Sequence, residues 1–283
     1  MRHFVQSLTL GVLLGASAFA AGFSPLTVAG YNFDGIVERT AVPPYSGAAQ
    51  SLDPLNNALF ELGLPGTTAG GLPQGGLFTF TTNSNTYSFQ LGPYGANNLL
   101  RINPTGTLTL TTPAKFTTLA ILGFSTNDNS PGALEMLGSA TLGFTDTTSS
   151  TYTGTVDLSD WYATSPSNPN VVTGAMGGTV NITSATALGA FQATPGTGPK
   201  FYVSLITLSS GDASKSLSSV TFGGFPFGGN TYQFVMALAG PTPVVIPPAT
   251  VPVLSGWAFA VLGILLVTVA ASMLRPFAKR SKA

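Results

Sequence analysis

Runs of alternating apolar and polar residues recur along the middle of this chain. The alternation is clearest in residues 77–81, 86–91 and 107–111, and a period of two is typical of a strand that is buried on one face. Residues 116–124 are almost continuously apolar, which predicts a central strand buried on both faces. Further strands are predicted where Thr, Val, Phe and Tyr dominate, over residues 140–144, 152–158, 179–182, 201–208, 218–222 and 232–238.

Glycine and proline separate these runs at short intervals. Short strands with turn residues between them predict an all-β fold, an antiparallel sandwich or barrel. Residues 56–62, NNALFEL, are the one helix-like segment, and residues 63–76 and 163–178 have the composition of loops. We therefore expect a single antiparallel β-sandwich of jelly-roll type over residues 22–240.

The N-terminal residues 1–21 have a different pattern. A short basic start and an apolar stretch are followed by Ala18 and Ala20 in small-x-small spacing, which predicts a signal peptide. The alternative is a first transmembrane helix, but Gly11 and Gly15 interrupt an apolar run that is already short for a membrane span.

The C-terminal part of the chain has the layout of a membrane tail. Residues 241–255 are rich in proline and predict an extended linker. Residues 256–274 are apolar or small, and as a helix they are long enough to cross a bilayer. Residues 275–283 are basic, which predicts a cytoplasmic end. The expected precursor is therefore a single-pass protein of the cytoplasmic membrane with its body exported.

Composition and charge narrow the possible functions of the body. Charged residues are 7% of the chain and hydrophobic residues 44%, so the apolar residues suffice for a core. Residues 22–250 carry five basic and ten acidic side chains, and an acidic body without basic clusters argues against nucleic-acid binding. The chain has no Cys, and its one His is His3. The mature body therefore has no Ser-His-Asp triad and no His/Cys zinc site.

A short motif precedes the predicted membrane helix. It consists of Val251, Pro252, Val253, Leu254, Ser255, Gly256 and Trp257. The motif resembles the IPTL-type C-terminal sorting domain, in which Ile-Pro-Thr-Leu-Ser-Glu-Trp leads into a membrane helix with a basic end; Gly256 stands where that family has an acid. The resemblance covers residues 251–280. It implies recognition by an exosortase-type membrane protease, removal of the tail and transfer to the cell envelope or the outside. The alternative is a permanent anchor.

Several short motifs are spread through the body. They are YNFDGI at residues 31–36, GGLF at 75–78, FTDTT at 144–148, the pair Asp160 and Trp161, and the segment 201–223. Together they resemble the galactose-binding-like β-sandwich of bacterial surface proteins, although Thr147 stands where that family has glycine in a tight turn. The resemblance implies one sandwich domain, with sugar binding as a candidate activity.

The candidate ligand-binding residues are Asp34, Asp146, Asp160 and Trp161. The indole ring of Trp161 could stack on a sugar ring. The alternative is that Trp161 packs in the core or at a sheet edge. Asp128 and Asp146 are candidate Ca²⁺ ligands, because carboxylates suit that ion; no other cofactor is predicted. The alternative role for such aspartates is to accept hydrogen bonds from their own turns.

Further candidates come from other aromatic and acidic residues. Tyr31, Tyr94 and Tyr162 are additional candidates for contact with a sugar. The candidates for acid and base are the aspartates together with Glu38, Glu61 and Glu135, but no spacing between them predicts the carboxylate pair of a glycosidase.

We therefore expect a non-catalytic exported protein of the cell envelope or surface, with a role in adhesion or the extracellular matrix. One alternative is a carbohydrate-binding module with a polysaccharide partner, and a hydrolase acting on polysaccharide is a more distant one. Another is a self-assembling subunit of a surface layer or fibre, because threonine-rich strands with few charges leave sheet edges poorly protected against pairing.

Overall fold

The structure is a computed structural model that describes residues 22–67, 70–126, 137–163, 168–172, 178–183, 198–225 and 231–241. The predicted signal peptide, the linker beyond Pro241, the sorting motif, the membrane helix and the basic end lie outside these ranges, as do Asp128 and Glu135. Pro241, predicted as the first linker residue, ends the strand Tyr232–Pro241. None of the helices in the described ranges has the length and hydrophobicity of a membrane span.

The described residues form many strands and few helices. The strands are β1 (Gly22–Leu26), β2 (Val28–Ala29), β3 (Ile36–Val37), β4 (Asn57–Phe60), β5 (Leu77–Thr82), β6 (Asn85–Gln90), β7 (Leu100–Ile102), β8 (Gly106–Ala114), β9 (Thr118–Thr126), β10 (Leu137–Phe144), β11 (Ser149–Asp157), β12 (Val171–Val172), β13 (Val180–Asn181), β14 (Phe201–Thr207), β15 (Leu217–Gly223) and β16 (Tyr232–Pro241). The helical elements are α1 (Ser210–Ala213) and the 3-10 helices Tyr45–Gly47 and Gln74–Gly76. The prediction of an all-β fold is confirmed.

Within the described residues these strands build three sheets. The largest has eight strands in the order β12-β14-β9-β16-β1-β6-β5, with β7 also paired to β16. The second has five strands in the order β11-β10-β15-β8-β2, and the third has the order β13-β4-β3. The two larger sheets share one hydrophobic core, in which Leu119 and Val235 of the eight-stranded sheet cluster with Leu108, Leu142 and Val220 of the five-stranded sheet.

A second core covers the other face of the eight-stranded sheet. It contains Leu122 and Phe124 of β9 and Phe234 of β16, together with Leu52 and Phe60 from the segment that carries the small sheet. The central strands are therefore covered on both faces, and β9 is buried at every position after Thr118. This burial explains why the sequence of β9 is an almost continuous apolar run, whereas β8, exposed on one face, alternates.

The eight-stranded sheet curls around the second core. The rings of Phe78 in β5 and Phe201 in β14, strands near opposite ends of the sheet, lie edge to face with centroids 6.0 Å apart. The Nδ2 of Asn83, just after β5, donates hydrogen bonds to the Pro169 carbonyl at 3.0 Å and to the Asn170 Oδ1 at 2.8 Å, just before β12. The two edges of the sheet therefore approach each other.

The structure corrects two features of the predicted fold. A single antiparallel sandwich was predicted, but the described residues also form a third sheet. They also contain two parallel strand pairs, β1–β6 and β3–β4. A parallel pair needs a long connection, and residues 27–84 provide it between β1 and β6. The helix-like segment 56–62 is also corrected, because Asn57–Phe60 forms strand β4 between β3 and β13. A single helix of that length is marginal in water, and pairing on both sides outweighs its helical pattern.

Candidate functional site

A cavity of about 690 Å³ opens beside the first strands of the body. Its walls come from Thr27, Val28, Tyr31, Glu38, Thr40, Glu61, residues 75–76 and residues 90–95. This volume lies within the range of roughly 300–1,000 Å³ that is usual for small-molecule sites. The cavity is therefore the candidate functional site, and we call it the Tyr31–Tyr94 cavity after its two aromatic lining residues.

The two tyrosines are held in place by their hydroxyl groups. The Tyr31 hydroxyl donates to the Met236 carbonyl at 2.8 Å, and the Tyr94 hydroxyl donates to the Pro73 carbonyl at 2.9 Å. Burial raises the pKa of both hydroxyls, and the negative charge of Glu61 raises the pKa of Tyr94 further. Both phenols therefore stay protonated, and their rings are fixed as rigid walls.

Two carboxylates line the same cavity, and their surroundings differ. Glu61 is 8% exposed, its Oε2 accepts a hydrogen bond from the Arg39 backbone N–H at 2.9 Å, and its Oε1 lies 3.8 Å from the Arg39 Nε. The Oε2 of Glu38 is buried and has no hydrogen-bond partner among the described residues. Buried polar atoms are nearly always paired, so the Glu38 oxygen is an acceptor that a ligand can satisfy.

Glycines let the backbone line one wall closely. Gly76 has a φ of +74°, and a Cβ there would lie 2.8 Å from the Gln90 Nε2. That amide nitrogen donates to the Gly75 carbonyl at 2.9 Å and to the Leu91 carbonyl at 3.2 Å. A side chain at Gly76 would therefore strain the backbone and displace the amide that ties the two segments together.

Asn98 joins two walls of the cavity from behind. It is fully buried, and its Oδ1 accepts a hydrogen bond from the Gly35 N–H at 2.9 Å. Its Nδ2 donates to the Asp34 Oδ1 at 2.7 Å and to the Ala96 carbonyl at 2.9 Å. One amide side chain therefore fixes the segment that leads to Glu38 against the loop that carries Tyr94.

Asp34 supports the cavity without lining it. Burial raises the pKa of its carboxyl to about 6, the charge of Glu38 adds to the increase, and the hydrogen bond from Asn98 opposes it. The Asp34 backbone is also tied to Gln50, whose Oε1 accepts from the Asp34 N–H at 3.2 Å. Of the described aspartates that the sequence proposed, Asp34 is the one that the structure brings next to the cavity.

The other described aspartates that the sequence proposed accept hydrogen bonds within their own turns. The Asp146 Oδ1 accepts hydrogen bonds from the Thr148 N–H at 3.1 Å and from the Thr148 hydroxyl at 2.6 Å, which lower the pKa of Asp146. Thr147 adopts a φ of +67° between them, so the tight turn forms without glycine at this position. The Asp160 Oδ1 accepts from the Tyr162 N–H at 2.7 Å. Within the described ranges, no group of three or more Asp, Glu, His or Cys side chains comes together to hold a metal ion.

Trp161 lies in the second core. Its side chain is 2% exposed, and its ring stacks on Phe124 with centroids 5.4 Å apart and planes 9° apart. Tyr162 packs edge-on against it at 5.3 Å. Trp161 therefore has the core role that was the alternative to sugar stacking, and it does not line the cavity.

Several residues that line or support the cavity have no distinguishing signal in the sequence. Gln90 ends an ordinary alternating strand, and Asn98 lies in a polar turn among other small residues. The proximity of Glu38 to Glu61 depends on the β3–β4 pair, in which Val37 lies opposite Phe60. The two consecutive glycines at residues 75–76 are the sequence feature that indicates a close approach of the backbone to a neighbouring segment at this wall.

Comparison of the chain with protein families, with characterised proteins and with solved structures finds no match. The geometry of the site therefore carries the functional argument.

Proposed function

We propose that this chain is an exported, non-catalytic protein of the cell envelope or surface whose β-rich body binds carbohydrate in the Tyr31–Tyr94 cavity. The cavity is the observation that carries the proposal, because it combines fixed aromatic walls with hydrogen-bond acceptors. Sugar rings present apolar C–H faces to aromatic side chains and donate hydroxyl hydrogens to acceptors such as the Glu38 carboxylate and the Thr40 hydroxyl. Adhesion to a matrix or cell surface would follow from such binding, and the galactose-binding-like relationship is part of the same proposal.

Blocking the cavity tests the binding role. A Cβ at Gly95, which lines the cavity, would meet no atom within 4 Å, so Gly95→Trp is expected to fill the space without straining the core. We expect the variant to lose glycan binding by at least about tenfold, since a filled pocket removes most ligand contacts. The measurement is a glycan array followed by titration of the best ligand against the full chain in detergent.

The chain offers a matched control for this substitution. Gly47 is also exposed, and a Cβ there likewise meets no atom within 4 Å, but it does not line the cavity. Gly47→Trp should therefore bind as the unmodified chain does. Equal binding by the Gly95→Trp variant would place the ligand elsewhere, and no saturable binding by the unmodified chain would end the carbohydrate proposal.

Export and sorting are the second part of the proposal, and they rest on the sequence of the two ends. An exosortase-type protease would remove the tail after the signal peptide has directed export. We expect the mature protein to lack residues 1–21 and the membrane helix at 256–274. Intact-mass measurement of the protein from the producing cell tests this, with a Pro252→Ala, Trp257→Ala variant as the uncleaved control. A mature mass that still includes residues 256–283 would favour the permanent anchor.

Hydrolysis of the bound glycan is a second candidate function, because Glu38 and Glu61 line one cavity and glycosidases use a carboxylate pair. We favour binding alone, since the Arg39 backbone and guanidinium already engage Glu61. Release of shorter products in the binding assay, abolished by Glu38→Gln, would favour the hydrolase.

Self-assembly is a further proposal that concerns the sheet edges. In the described part of the chain β11 forms one edge of the five-stranded sheet, and β2 forms the other. The pairing of β11 with β10 shifts register beside Gly138, and Gly154 has a φ of +66°. Such a bulge twists an edge away from further pairing, so this edge offers less support for assembly than the cavity does for binding.

A further inference from the structure

The charge of the Tyr31–Tyr94 cavity points to a narrower class of ligand than carbohydrate in general. Among the described residues that line it, only Glu38 and Glu61 are charged, and neither lysine nor arginine is present. A concave surface with charges of one sign focuses the electrostatic potential and concentrates ligands of the opposite sign. The cavity therefore disfavours anionic sugars, such as uronic acids and sulfated glycans, and favours a ligand with positive charge.

The two acids differ in how much of their charge is already balanced. Glu61 faces the Arg39 guanidinium, with the Glu61 Oε1 and the Arg39 Nε 3.8 Å apart. Glu38 has no ion pair with a described residue, and its buried Oε2 has no hydrogen-bond partner among those residues. A buried carboxylate oxygen without a partner is costly, and a donor with a positive charge would lower that cost most.

The groups behind the wall reinforce the negative potential. Asp34 lies near enough to Glu38 for the two charges to interact, and the side-chain hydrogen bond that Asp34 accepts from Asn98 comes from a neutral amide. The nearby tyrosines add ring faces that attract both sugar C–H groups and cations. The cavity therefore offers acceptors and ring faces that suit a ligand carrying both hydroxyl and ammonium groups.

We propose that the cavity binds an amino sugar, a polyhydroxylated ring with a protonated amine whose ammonium group pairs with Glu38. This inference rests on the proposed carbohydrate binding and names its ligand class. The polymer form of such a ligand is a partly or fully deacetylated glycan, whereas the acetylated form of the same polymer has a neutral amide in place of the ammonium.

The experiment compares two ligands that differ in that group alone. A glucosamine oligosaccharide and its fully N-acetylated counterpart of equal length are titrated against the full chain in detergent, at a pH below the pKa of the amine. We expect the amine form to bind about tenfold more tightly or better, because a charge-assisted hydrogen bond is added. The Glu38→Gln variant should bind the two forms about equally, so the readout is the ratio of the two affinities measured on the same variant. A melting curve confirms that the variant folds.

Each outcome has a distinct meaning. Equal affinity for both ligands, or a preference that survives in Glu38→Gln, overturns the amino-sugar inference and leaves carbohydrate binding intact. Binding of neither ligand, nor of any other glycan on the array, overturns both proposals. Tight binding of Ca²⁺ alone, lost in Glu38→Gln, would also overturn the inference, because the carboxylate would then serve a metal ion. Loss of the preference at high salt supports an ion pair.

Discussion

Trp161→Ala is expected to destabilise the body by about 3–5 kcal/mol without weakening glycan binding by the protein that remains folded. The indole is 2% exposed and stacks on Phe124 at 5.4 Å, so its removal leaves a large cavity in the second core, and such deletions are costly. Thermal unfolding of the full chain measures the change. A melting temperature lower by about 10 °C is expected for a body of this size.

Two further variants complete this test. Trp161→Phe keeps an aromatic ring against Phe124 and should lose markedly less stability than the alanine variant. Leu77→Ala removes an apolar side chain that is 53% exposed and should change stability by no more than about 0.5 kcal/mol. Unchanged melting of Trp161→Ala together with lost glycan binding would contradict the core role and return Trp161 to the ligand site.

The sequence pattern predicts the strands of six or more residues in the two larger sheets, whereas it does not predict β1, β2, β7 and β12. Residues 77–81 and 107–111 alternate because one face of their strands is more exposed than the other, and they lie within β5 and β8. Residues 116–124 are almost continuously apolar because β9 is covered on both faces. These signals are local, since each residue's burial follows from its own position in the strand.

The elements that the sequence did not predict depend on distant partners. Strand β4 looks helical in isolation, and it becomes a strand because Ala58 pairs with Val180 and Leu59 with Ile36. The short strands β2 and β3 have too few residues for any period to appear. Of the third sheet, β13 alone was predicted as a strand, within residues 179–182, whereas its partners β4 and β3 are set by pairing and by packing against the second core.

The candidate site was predictable only in part, for the same reason. Tyr31, Tyr94, Glu38 and Glu61 were all plausible from their chemistry, but nothing in their spacing placed them in one cavity. Trp161 was ambiguous because its stacking partner belongs to another strand. Burial and neighbours of this kind are set by contacts between segments that are far apart in the chain.

The cavity also shows why function and stability are coupled in this body. Its walls are largely loops, which have few strand hydrogen bonds of their own, and they are held by side-chain contacts to backbone groups. Tyr94 reaches Pro73, Gln90 reaches Gly75, and Asn98 spans both sides. A substitution at one of these ties therefore moves the wall and the ligand contacts together.

Asn98→Ala is accordingly expected to destabilise the body by on the order of 3 kcal/mol and to weaken glycan binding as well. The substitution leaves the buried Gly35 N–H without its acceptor and removes the donor to the Asp34 carboxylate and to the Ala96 carbonyl. A buried unsatisfied group costs about 1–3 kcal/mol. Asn32→Ala is the matched control. Asn32 is exposed and also makes two backbone hydrogen bonds, both to Arg101, so its loss should cost about 1 kcal/mol or less.

The Asn98→Asp variant tests whether the hydrogen bonds of Asn98 or the size of its side chain stabilises the two walls. It keeps the size of the side chain but replaces a donor with a second carboxylate beside Asp34, whose pKa is already raised to about 6. Asp34 already gives the unmodified chain a gain in stability as the pH falls from about 6 towards 4, because the folded state binds that proton more tightly than the unfolded state does. The second carboxylate should make this gain larger in the variant, and the gain is lost again as the pH rises through that window. Chemical unfolding at a series of pH values measures this slope. A variant as stable as the unmodified chain at neutral pH, with the same dependence of stability on pH, would show that Asn98 does not hold the two walls together.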